Sequence, residues 1–108
     1  MSAAWIDHAS SLPALPDSAV LGLDTELMRR NTYFPKLALV QAALAGECWL
    51  LDPLAYGAAE DVRMLVADRV CVMHSASEDM EALAPLLGGT QLALFDTQIA
   101  AALCGMGP

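Results

Sequence analysis

With 108 residues, thirteen acids against five bases and a net charge of −8, the chain is long enough for one small domain and too short for two. Its 56% hydrophobic content and mean hydropathy of +0.47 exclude an intrinsically disordered segment. Acids and prolines break every apolar run before it reaches bilayer-spanning length, and the negative balance argues against a polyanionic partner unless the bases are concentrated.

Three of the five bases are concentrated: Arg29, Arg30 and Lys36 fall within eight residues. Such a run is either a solvated charged loop or a phosphate-contacting patch. Cys48, Cys71 and Cys104 are odd in number and widely spaced, with no C-x-x-C, so neither a disulfide framework nor a zinc site is expected. Asp7 and His8 stand where the apolar core of a secretion signal would begin, and a reducing, cytoplasmic location is the expectation. The apolar excess has to be buried somewhere, in a homo-oligomer or against a part of the domain that these residues lack.

In chain order, residues 4–6 suggest a short strand, followed by a turn-rich segment with Pro13 and Pro16. Residues 19–26 are the first well-defined strand, and 27–35 form a loop ending in Tyr33-Phe34-Pro35. Strands at 36–43 and 47–51 are joined by Ala45-Gly46, short enough for an antiparallel hairpin. A helix over 58–67 follows, with Glu60 and Asp61 in its first turn. The run RVCVM at 69–73 predicts a strand buried on both faces. Ser75 and Glu78 have capping-box spacing for the next helix, which carries Met80, Leu83, Ala84 and Leu87 on its apolar side and stops at Gly88-Gly89. A fifth strand at 92–95 leads to Asp96, read as the N-cap of a last helix running from 97 to about 104. Three antiparallel strands, then two parallel ones joined through crossover helices, make an α/β domain with a mixed sheet.

The stretch LGLDTE at 21–26 ends in two carboxylates two residues apart. On a strand this spacing puts Asp24 and Glu26 on one face, where like charges repel unless a cation lies between them. Oxygen ligands of this kind suit a hard divalent metal, although a bare D-x-E is more often a solvated strand end. Asp79 falls in the first turn of the helix after the fourth strand. If that strand lies beside the first, three carboxylates converge at the carboxyl end of the sheet, where ligands of open α/β sheets gather.

The segments GLDTELMRRNTYFPKLALVQ at 22–41, HSASEDMEAL at 74–83 and FDTQIAAA at 95–102 resemble, in order, the exonuclease blocks of ribonuclease D. The resemblance implies the DEDD superfamily of 3′-to-5′ exonucleases, with an RNase H-like fold. It matches Asp24, Glu26 and Asp79 to three catalytic metal ligands. The implied chemistry is hydrolysis of phosphodiester bonds with two Mg²⁺ or Mn²⁺ ions about 4 Å apart. By the same resemblance, Asp24 bridges the ions, Glu26 binds the one holding the nucleophile, and Asp79 serves the other through water. The implied partner is a single-stranded RNA 3′ end, such as that of a tRNA precursor.

Departures from the pattern are equally informative. The family's third motif, a tyrosine four residues before a fourth acid, has no counterpart in the sequence, nor do the family's basic C-terminal nucleic-acid-binding domains. Leu27 stands where the family usually carries an aromatic residue. Residues 1–108 are therefore expected to be the N-terminal portion of an exonuclease domain, a truncated RNase H-like sheet. The alternative expectation is a catalytically silent homologue acting as a binding or dimerisation module. Arg29, Arg30, Tyr33 and Lys36 are candidates for meeting the RNA strand, with Phe34 beside them, or else they close the loop before the hairpin. Gln41 belongs either to the sheet or to a substrate groove. His74, at the end of a buried strand, is expected to be a packed, hydrogen-bonded histidine.

Overall fold

The computed structural model describes residues 3–6, 14–28 and 36–106. Its centre is β2 (Val20–Met28), in which Leu21, Leu23 and Thr25 are buried while Asp24 and Glu26 are exposed. This is the period-two alternation of a strand with one covered face. β3 (Lys36–Leu44) pairs antiparallel with β2, with a register shift between Glu26 and Leu27. β4 (Glu47–Leu51) pairs antiparallel with β3 through Ala45-Gly46, whose φ angles of 50° and 84° fit a primed hairpin turn. β5 (Val70–Met73) adds parallel to β2, and β6 (Ala93–Asp96) adds parallel to β5. The short first strand is β1 (Ala3–Ile6), parallel to β4. The resulting order β1-β4-β3-β2-β5-β6 contains the expected three antiparallel strands and two parallel ones, with β1 at the far edge.

Among the described residues, two of three helices supply the cover. α1 (Ala58–Val66) buries Val62, Leu65 and Val66, and α2 (Ser77–Leu87) buries Ala82, Leu83 and Leu87. They close over Leu21 and Leu23 of β2, Val40 and Leu44 of β3, Trp49 and Leu51 of β4, and Cys71 and Met73 of β5. α3 (Thr97–Leu103) has no buried residue. α2 ends at Gly88, whose φ of 57° is left-handed; a Cβ there would lie 2.3 Å from the Arg63 guanidinium. That guanidinium reaches back from α1 to the Leu86 and Leu87 carbonyls, at 3.0 and 3.2 Å, which ties the two helices together.

Three sequence expectations give way here. β5 is covered on one face only: Cys71 and Met73 are buried, whereas Val70 is 42% exposed. Its unbroken apolar run carries no period to distinguish one covered face from two. On α2 the covered stripe includes Ala82 and leaves Ala84 exposed; α1 packs against α2, and its Arg63 reaches the Leu86 and Leu87 carbonyls. Ser75 does not cap α2. Its φ of 57° sits outside the geometry of an N-cap, the cap position is Ala76, and the Ser75 hydroxyl bonds the Gln98 side chain.

Candidate metal-binding and catalytic site

β2 presents Asp24 and Glu26 on the sheet face that the helices leave open, and Thr25 between them on the covered face, 8% exposed. A buried hydroxyl needs a partner. Thr25 Oγ1 donates to Asp79 Oδ1, and the Thr25 backbone N–H donates to Asp24 Oδ1 at 2.9 Å. Asp79 is delivered by the first turn of α2, where a carboxylate is favoured by the helix dipole. β5 lies beside β2, as convergence requires, and one threonine links to two of the three predicted acids.

The approach stops short of a closed cage. Among the described residues, no group of three or more His, Cys, Asp or Glu side chains is gathered closely enough to hold a metal ion. Asp24 and Glu26 flank the strand on one side, and Asp79 reaches it at Thr25 from the other. The donor set remains chemically suited to Mg²⁺ or Mn²⁺, being carboxylate oxygen throughout.

The other predicted residues divide clearly. Gln41 pairs with Asp24 across β2 and β3 and lines the same hollow of about 360 Å³ as Gly22, Asp24, Ala43 and Leu50. Lys36 is exposed at the start of β3. Arg29, Arg30, Tyr33 and Phe34 lie outside the described residues. The remaining two bases are committed to structure: Arg63 to the end of α2, and Arg69 to the carbonyls of Pro16, Ser18, Met64 and Leu65.

Asp96 is the expected N-cap and more. It accepts from the Gln98 and Ile99 N–H groups at the start of α3, and also from Ser75 and Ala76 ahead of α2. These donors, Ala76 foremost, hold its carboxyl below the ordinary value of 3.8. Burial pushes the Cys71 thiol up to about 11 against the opposing pull of Arg69, which leaves it no part in nucleophilic chemistry.

Thr25, which holds Asp79 against β2, is the residue of this arrangement that motif reading passed over. The signal was a hydroxyl at a position whose strand phase is buried, directly between two acids. His74 is hydrogen-bonded as expected, with Nδ1 2.8 Å from Thr97 Oγ1, but it is exposed and not packed. It lies just beyond β5, where the covered face has ended.

A central strand with an exposed D-x-E pair, a neighbouring parallel strand and an acid-bearing helix define an α/β nuclease-like architecture. A family model for 3′-5′ exonucleases matches residues 3–108, and the chain belongs to that family. Ribonuclease D of Xanthomonas oryzae pv. oryzae is 48% identical over 108 residues, covering 95% of this chain and 30% of that protein. Ribonuclease D of Shewanella sp. is 38% identical over 109 residues, covering 95% and 28%. Escherichia coli RNase D, described as an exoribonuclease involved in structured RNA processing, superposes with a TM-score of 0.73 at 33% identity, over 82% of this chain and 24% of that one. The catalytic core of RRP6 from Trypanosoma brucei reaches 0.77 at 24% identity, over 98% and 32%, a likeness of fold. The chain is thus a ribonuclease D homologue with an RNase H-like exonuclease fold, and it spans 30% of the Xanthomonas relative and 28% of the Shewanella one.

Proposed function

We propose that the chain carries the metal-binding half of a 3′-to-5′ exoribonuclease of the ribonuclease D type, acting in the cytoplasm on RNA 3′ ends such as those of tRNA precursors. The observation that supports this most is the hydrogen bond from Thr25 to Asp79. It holds the acid of the second block against the strand that bears Asp24 and Glu26. The RNA substrate is supported by relatives, among them a Trypanosoma brucei RNase D solved in complex with RNA U12.

Asp24, Glu26 and Asp79 would hold two Mg²⁺ or Mn²⁺ ions. When bound, these supply a nucleophilic water at neutral pH and offset charge on the leaving 3′-oxygen. Thr25 orients Asp79 and keeps its carboxylate from turning to solvent. Arg29, Arg30 and Lys36 steer the phosphates, Tyr33 stacks on a base, and Gln41 borders the groove beside Asp24.

The test is a Mn²⁺ titration by calorimetry alongside digestion of 5′-labelled single-stranded RNA. Wild-type chain binds Mn²⁺ and shortens the RNA from its 3′ end, and Asp24→Ala loses both. Binding without hydrolysis marks a half-built site, and absence of binding sinks the reading. A second reading, a silent dimerisation module, draws on exposed apolar side chains at Val20, Val70 and Phe95. A stable dimer in size-exclusion chromatography that takes up no Mn²⁺ would favour it.

A further inference from the structure

His74 is exposed at the carboxyl end of β5 and has one ring nitrogen fixed. Its Nδ1 lies 2.8 Å from the Thr97 hydroxyl oxygen. That hydroxyl is spent as a donor on the Met73 carbonyl at 3.1 Å, so toward the imidazole it can only accept. With that hydroxyl as the acceptor, Nδ1 is the donor of the pair, and Nε2 is left to accept from outside. An unanchored surface histidine has no such preference.

The ring is also placed. The parallel ladder of β2 and β5 ends with Gly22 opposite Val72; Asp24 lies two residues further along β2, and His74 two residues beyond Val72, just past the end of β5. β5 and β6 pair Met73 with Asp96, and Thr97 follows. By register, Asp24 in the middle of β2, His74 just past β5 and Thr97 just past β6 fall in one row, the last two at the carboxyl ends of their strands, the side on which open α/β sheets bind ligands.

We propose that His74 Nε2 accepts a hydrogen bond from a ribose hydroxyl of the 3′-terminal nucleotide. This rests on the exonuclease reading and deepens it, naming a residue that reads the sugar. A fixed lone pair has nothing to offer a phosphate oxygen, which is itself an acceptor, whereas a hydroxyl is a donor. Of the two terminal hydroxyls, the 2′ one is the group by which a protein tells RNA from DNA.

The experiment compares 5′-fluorescent oligoribonucleotides ending in ribose, 2′-deoxyribose or 3′-deoxyribose, bound to the full chain in Ca²⁺ to keep the RNA intact. Wild type prefers the ribose end over one deoxy end by about 5–10-fold, the size of one hydrogen bond. The deoxy end that weakens binding identifies the hydroxyl. His74→Asn keeps an amide nitrogen at the Nδ1 position for Thr97 but has nothing at Nε2. It retains the wild-type melting temperature and loses the preference. A preference that survives His74→Asn, or that wild type never shows, overturns the proposal while leaving the nuclease reading intact. Wild type that binds none of the three overturns both. Should His74→Asn unfold, the wild-type ring is read directly by ¹⁵N NMR: Nε2 shifts on titration with the ribose-ended RNA, and an unmoved Nε2 counts against the proposal.

Discussion

Thr25 lies between the two acids of the D-x-E and is tied to a third. Its backbone N–H reaches Asp24 and its hydroxyl reaches Asp79, so one residue bridges the first and second acidic blocks. Replacing it with valine keeps the β-branched shape that the strand favours and deletes only the donor. Thr25→Val is expected to weaken Mn²⁺ affinity by about 10–100-fold, as loss of a group orienting a metal ligand does. Thr25→Ser should restore it. Calorimetric titration of both variants, with melting temperatures as a fold control, checks this; equal affinity in Thr25→Val would remove the anchoring role. Asp24 and Glu26 were legible as a pair because strand periodicity is local. Thr25's partner was not, because Asp79 is 54 residues away in sequence.

At the scale of elements, Asp96 joins β6, α3 and the approach to α2 through one carboxylate. The capping box expected at Ser75 and Glu78 is a local pattern that a distant acceptor displaced: with Asp96 already satisfying the Ser75 and Ala76 N–H groups, the Ser75 side chain turned to Gln98. Asp96 has its folded-state pKa depressed below 3.8, so its stabilisation is present above that value and fades as pH falls through the lower folded value. Asp96→Ala should therefore melt below wild type at pH 7, and the gap should narrow progressively below about 3.8. Thermal melts by circular dichroism from pH 7 to pH 2 read this, and a constant gap would contradict it. The helices α1 and α2 were readable from apolar spacing and from the glycines at 88 and 89. Which flank of α2 faces inward depends on what it packs against, and spacing within one helix carries no information about its neighbours.

Over the whole molecule, the described core lies on one side of the sheet, between β2 to β5 and the pair α1 and α2. Leu83 is fully buried there, where α2 crosses the sheet. Leu83→Ala is expected to cost about 2–5 kcal/mol, the range for a buried leucine that leaves a cavity. Urea denaturation with unchanged m-value would measure it, and a cost below about 1 kcal/mol would show that the core readily collapses around the gap. Among the described residues no helix is long and apolar enough to cross a membrane. Among the described residues, apolar side chains outside this core remain exposed, including Val20, Val70, Phe95 and Ile99.

Strand and helix positions, the hairpin and the Asp96 cap were determined by the sequence itself, because each depends on neighbours within a few residues or on a fixed period. The same holds for the exposed face shared by Asp24 and Glu26. Only the tertiary structure decided that β5 is covered on one side, that Thr25 holds Asp79, and that Thr97 anchors the ring of His74. Those outcomes turn on directional hydrogen bonds and on which surfaces meet across the sheet. Both are settled by distances between residues far apart in the chain, which no local pattern encodes.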